Sequence, residues 1–247
     1  MNILIQFFYV VLYQPLFNAL MLLYWYLPGR DLGLAIIALT LLIKLALHPS
    51  SKKALRSQKA LAELQPKIKT LQAQHSNDKE RQMKEVFELY QREKVSPASG
   101  CLPLLVQLPI LIALYQVFIK GFSPGILEQY LYDFMPRIGP VSEKIFGLIN
   151  LAGNKFSWGL AILVVLSGVL QFWQTKMTMA KSGRQPIGGV GVKDFAATMQ
   201  KQMMYFLPII TMIIVWQFGA VIGVYWVAST LFTIIEQQII FSPKTKS

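Results

Sequence analysis

Lys44 has the setting most suggestive of chemistry. It lies in Leu41-Leu42-Ile43-Lys44-Leu45-Ala46-Leu47, a run with no other charge. A lysine near the middle of a membrane helix costs about 2.5–3.5 kcal/mol on insertion scales. Two arrangements relieve that cost. The long stem can lift the ammonium to the interface, or the ammonium can face water and polar groups between helices. In the second arrangement a fixed positive charge would attract an acidic segment. Polar side chains dot other apolar runs: Gln107, then Gln171 and Gln174, then Ser229, Thr230, Thr233, Glu236, Gln237 and Gln238. Each alone is the common glue between helices. Together they suggest a polar interior biased toward one side of the membrane. Glu236 fits either a counter-charge for Lys44 or a solvated group at a helix end.

Other chemistries are poorly supplied. One cysteine and two histidines, His48 and His75, leave little for a zinc site. No Ser/His/Asp set or carboxylate pair is visible. Cys101 stands at a helix start, where a thiol pKa can fall, but packing is the commoner role. Gly183, Gly188, Gly189 and Gly191 lack the spacing and strand context of a nucleotide fingerprint. No catalytic residue, cofactor or metal is expected, and the chain does not read as an enzyme.

The elements that must position these residues are membrane helices. The 247-residue chain is 54% hydrophobic and 15% charged, against about 25% charged in soluble domains. That excludes disorder, and a mean hydropathy of +0.45 does not suit a DNA-binding domain despite the net charge of +12. Spans are expected at 31–48, 101–119, 156–175, 202–218 and 219–241. The last two come from one apolar stretch, 203–240, too long for a single crossing at about 1.5 Å per residue. It must turn, near Phe218-Gly219-Ala220. Residues 1–30 form an amphipathic segment interrupted by Gln6, Gln14, Pro15 and Asn18 that could lie in the interface or span. Gln14 and Asn18 share a helix face. It makes a poor signal peptide, lacking a basic start and a clear cleavage site.

Charge sets the expected orientation. Eleven basic residues lie in 48–100, five in 176–201 and two in the tail at 242–247; 120–155 and the segment before the first span hold five. The basic segments are expected in the cytoplasm. Residues 49–100 read as a helical hairpin. Leu61, Leu64, Ile68 and Leu71 form one seam, and Met83, Val86, Phe87 and Tyr90 a facing stripe. His75-Ser76-Asn77-Asp78 supplies the turn, and Pro66 is placed to bend the first helix. The hairpin suits a membrane-skimming coiled coil or a docking arm for a ribosome, a targeting factor or an incoming chain, and its charges suit anionic lipid. The 176–201 connection reads as a flexible loop, and 120–155 as an external loop with room for short interfacial helices.

The segment Ser99-Gly100-Cys101-Leu102-Pro103-Leu104-Leu105-Val106-Gln107-Leu108-Pro109-Ile110-Leu111-Ile112-Ala113-Leu114-Tyr115 closely resembles the YidC/Oxa/Alb membrane protein insertases. Those proteins carry Gly-Cys-x-Pro-x-x-x-Gln-x-Pro-x-x-x-Ala-Leu-Tyr. Pro15-Leu16-Phe17, Leu64-Gln65-Pro66-Lys67-Ile68, Glu93-Lys94-Val95-Ser96-Pro97, Tyr225-Trp226, Ser229, Thr233-Ile234-Ile235 and Gln237-Gln238 extend the likeness, in order, over residues 14–241.

The resemblance implies an all-α polytopic membrane protein, with a five-helix transmembrane bundle, a cytoplasmic helical hairpin and an N-terminal interfacial helix outside. It implies a bacterial inner-membrane location and the absence of the large periplasmic domain of some relatives. It also implies a hydrophilic groove carrying one cation. Its expected lining is Lys44, Gln107, Gln171, Gln174, Trp226, Ser229 and Gln237. The implied function is insertion and chaperoning of newly made membrane proteins. The implied partners are nascent chains, membrane lipids and, as candidates, the ribosome, the signal-recognition receptor and the Sec translocon, with no nucleic-acid specificity. Three departures stand out. The groove cation is usually Arg but here is Lys44. Thr230 replaces the usual Asn after the last span's Ser. Phe218-Gly219-Ala220-Val221 replaces a Phe-Pro-x-Gly turn. The alternative from another class is a small channel or transporter with a cation-lined path, although no internal repeat supports it.

Overall fold

The protein is an all-α membrane protein. A computed structural model describes residues 3–76, 78–96, 102–120, 125, 129–136, 141, 144–147, 149–150, 157–181 and 190–241. Helix α1 (Ile3–Phe8) passes through a wide π turn at Tyr9–Tyr13 into α2 (Gln14–Tyr26). Pro15 has no N–H to give the preceding turn, which accounts for the widened ladder. A short turn at Pro28–Arg30 leads to α3 (Leu32–Gln74), then α4 (Lys79–Arg92) and α5 (Leu102–Lys120). Strands β1 (Lys144–Ile145) and β2 (Ile149–Asn150) precede α6 (Trp158–Lys181), α7 (Val190–Phe218) and α8 (Ala220–Phe241).

Among the described residues, four helical stretches are long and apolar enough to cross a membrane: Ile5–Tyr26, Leu32–Leu64, Trp158–Thr178 and Ala220–Phe241. Gln107–Phe118 and Met204–Phe218 are shorter apolar helices. The turn between α7 and α8 falls at Gly219, whose φ of 86° is a left-handed conformation suited to glycine. Only part of the 120–155 connection lies within the described residues, and Gln129 and Tyr130 there are helical. Its described residues also include an antiparallel pair, Lys144 with Asn150 and Ile145 with Ile149. In the 176–201 connection α6 runs to Lys181 and α7 starts at Val190; Gly183, Pro186, Gly188 and Gly189, on which the flexible reading rests, lie outside the described residues.

The chain forms two compact units: Met1–Ala46, Leu104–Gly168 and Thr211–Phe232, and then Leu47–Pro103, Val169–Ile210 and Thr233–Ser247. The first unit has a large apolar core. Tyr13, Phe17, Leu20, Met21 and Tyr24 recur at helical spacing, which makes one buried face along α2 and the turn before it. Leu32, Ala35, Ile36 and Leu39 do the same in α3, joined by Leu114 and Val117 of α5, Leu163 of α6, Val215 of α7 and Ile222 of α8. Gly33 is required by close approach: a Cβ there would lie 2.2 Å from Ile145 Cγ2. Gln14 and Asn18 do share a face, and both donate to Tyr130 O, at 3.4 and 2.8 Å. Asn18 Oδ1 also accepts from Tyr132 N at 2.8 Å. Asp31 caps α3 through Leu34 N and accepts from Phe146 N.

The second unit contains the helical hairpin. Leu61, Leu64 and Ile68 pack with Val86 and Tyr90, as their spacing implies. The rest of the α4 stripe is corrected. Met83 and Phe87 are 66% and 59% exposed, and Gln82 is buried in their place. Gln82 Nε2 donates to Gln72 O at 2.7 Å, so an amide with a partner takes the inward position. Asp78 caps α4 by accepting from Arg81 N, and Lys67 pairs with Glu93 at 2.6 Å. Pro49 and Pro66 both lie inside α3, which continues through them.

Candidate functional site

Lys44 is half-buried on α3 in the first unit. Gln107 of α5 is half-buried in the same unit, and its Nε2 donates to Tyr225 Oη of α8. Tyr225 is buried and shares a second hydrogen bond with Ser229, one turn further along. The first unit therefore brings Gln107 and Ser229 together through a phenol. Tyr225 was not expected as a site residue; its signal was a tyrosine four positions before a serine in an apolar helix, which puts both on one face. Trp226 is half-buried and packs against the apolar core.

Gln171, Gln174 and Gln237 belong to the second unit. Thr175 Oγ1 donates to Gln171 O at 2.8 Å, and Thr178 Oγ1 donates to Gln174 O at 2.9 Å. Gln237 Nε2 then donates to Thr178 Oγ1 at 3.0 Å, which joins α8 to α6. Gln237 is buried, and its Oε1 has no hydrogen-bond partner among the described residues. Among the described residues no three His, Cys, Asp or Glu side chains gather as metal ligands. Cys101 lies outside the described residues.

Glu236 departs from one of its two sequence readings. It is buried rather than solvated, and its oxygens accept from Ser51 Oγ and bond His48 Nδ1, each at 2.6 Å. The family model for "60Kd inner membrane protein" matches residues 25–247. The chain belongs to that family. Proteins described as "Membrane protein insertase YidC" from Francisella tularensis subsp. novicida (strain U112) and subsp. holarctica (strain LVS) are each 35% identical to it over 208 residues. The match covers 84% of this chain and 32% of each relative, so the chain spans about a third of their length. The family and the apolar helices together make this a multi-pass inner-membrane protein.

Proposed function

We propose that the chain is a membrane protein insertase and chaperone that takes newly made membrane proteins as substrate. The observation that carries the reading is the polar line Gln107–Tyr225–Ser229, set within apolar helices of the unit that also bears Lys44. Moving a polar segment across hydrocarbon is opposed by each unsatisfied polar group. Hydroxyl and amide contacts lower that barrier, and Lys44 is a transient anchor for acidic residues in the moving segment. Trp226 gives an amphipathic contact beside the line. On the second unit, half-buried Gln171 and Gln174 offer a polar segment a separate pair of amide contacts, and buried Gln237 fixes α8 beside them.

Hydrophobic partitioning and the membrane potential drive the transfer, so the proposal needs no nucleophile, metal or cofactor. Residues 49–100, 176–201 and 242–247 are assigned to the cytoplasm by their charge, and residues 1–30 to the outer interface. The hairpin is the natural contact for a ribosome, a signal-recognition receptor or the Sec translocon.

Insertion of acidic-tailed single-span substrates into proteoliposomes tests the anchor. Lys44→Glu should lower it about tenfold or more, since like charges meet at the anchor. Lys44→Ala should lower it less, and Lys44→Arg should retain it. Normal insertion by both Lys44→Glu and Lys44→Ala would sink the anchor role. Ion flux without insertion would favour a channel instead.

A further inference from the structure

Pro49 lies within α3 five residues after Lys44. A proline inside a helix has no N–H for the carbonyl four residues back, here Leu45, and its ring crowds that carbonyl. Helix α3 nevertheless runs on to Gln74. The residues flanking the proline share one partner. His48 and Ser51 are three apart and share a face, and both bond the carboxylate of Glu236 at 2.6 Å. Glu236 is the only charged residue of α8, and its side chain is 4% exposed while that of His48 is 43% exposed.

A buried carboxylate persists only where its oxygens are satisfied. Both oxygens of Glu236 are satisfied in this way, one by the Ser51 hydroxyl and one by the His48 ring. The next residue, Gln237, ties the same end of α8 to Thr178 of α6. Glu236 is thus held on an already anchored helix end, and it grips α3 on both sides of the proline.

We propose that Glu236 is a positioning residue that splints the Pro49 turn of α3 through His48 and Ser51. Its consequence for transport, a fixed register for the helix that bears Lys44, rests on the insertase reading; the splint itself does not.

Two measurements on the full chain in nanodiscs and proteoliposomes test it: amide hydrogen exchange and insertion of acidic-tailed substrates. Glu236→Leu should raise exchange at Ser50–Lys53 about tenfold, with α6 and the start of α3 unchanged, and insertion should fall several-fold. Glu236→Gln should behave as the parent, because its amide oxygen accepts from His48 and its NH2 donates to Ser51 Oγ. Ser51→Ala, a milder change, should give a smaller local rise and covers the case in which Glu236→Leu does not assemble. The pair His48→Ala/Glu236→Leu should insert no worse than Glu236→Leu alone.

Unchanged exchange at Ser50–Lys53, a uniform rise across α3, α6 and α8, or multiplicative losses in the double variant would each overturn the proposal. A local rise with parental insertion would overturn the positioning role. Ion flux without insertion by the parent chain would defeat the insertase reading and leave the exchange result to decide the splint.

Discussion

The first unit and the hairpin of the second both close on apolar side chains, but for different physical reasons. In the first, buried residues come from six helices, and Phe17, Leu20, Met21, Leu32 and Ile36 are wholly inaccessible. Lipid tails are as apolar as leucine, so helices in a bilayer gain packing rather than escape from water. The hairpin seam is five residues, Leu61, Leu64, Ile68, Val86 and Tyr90. It is flanked by charged positions, and there removal from water is the driving term, at about 25 cal/mol per Å2. The first unit should therefore respond to shape and the hairpin to hydrophobic area.

The largest effect is expected where shape is lost. Phe17→Ala should destabilise by about 3 kcal/mol, the low end of the range for soluble cores, because the cavity term remains while the transfer term shrinks. Phe206→Ala on α7 removes the same atoms from a 60% exposed position and should cost under about 0.5 kcal/mol. Reversible unfolding in mixed micelles measures both. Equal losses would break the comparison, since burial inside the protein would then not distinguish the two phenylalanines.

The hairpin gives the smaller counterpart. Val86→Ala should cost about 1–1.5 kcal/mol from lost buried area, and Phe87→Ala under about 0.5 kcal/mol because its ring is exposed. Hydrogen exchange of α4 in the full chain reads both. A larger loss at Phe87 would restore the facing stripe that the sequence spacing implied.

That stripe shows what the sequence made legible. Leu61, Leu64 and Ile68 were readable because three-four spacing leaves little choice for a helix seam. On α4 the inward position went to Gln82, which spacing assigns outward, because Gln72 O offers it a hydrogen bond that only the folded hairpin provides. Pro49 follows the expected first span, yet α3 runs through it, and His48 and Ser51 beside it meet Glu236 across 188 and 185 positions of chain. Gly219 was legible because the length of the apolar stretch demanded a turn. Among the candidate site residues, Lys44, Gln107 and Ser229 stood out as costly types in apolar runs. Tyr225, which links the last two, did not, since a tyrosine in such a run is unremarkable until its hydroxyl finds two partners.

The smallest expected effect appears only at high pH and sharpens the claim that the hairpin rests on buried area. Burial raises the Tyr90 pKa above its ordinary 10.0 by disfavouring the phenolate. The closed hairpin therefore keeps a proton that the opened hairpin releases first. Below about pH 10 both states are protonated, and Tyr90 adds no pH dependence. As pH rises past 10.0 the opened state binds fewer protons, so the hairpin weakens until Tyr90 also ionises in the closed state. A fluorophore pair on Lys69→Cys and Lys84→Cys, in a Cys101→Ser background, reports closure against pH. Separation of the pair should grow above pH 10 in the parent. Tyr90→Phe should flatten that response, because a phenyl ring buries similar area and has no proton to lose. An unchanged alkaline opening in Tyr90→Phe would remove Tyr90 as its cause.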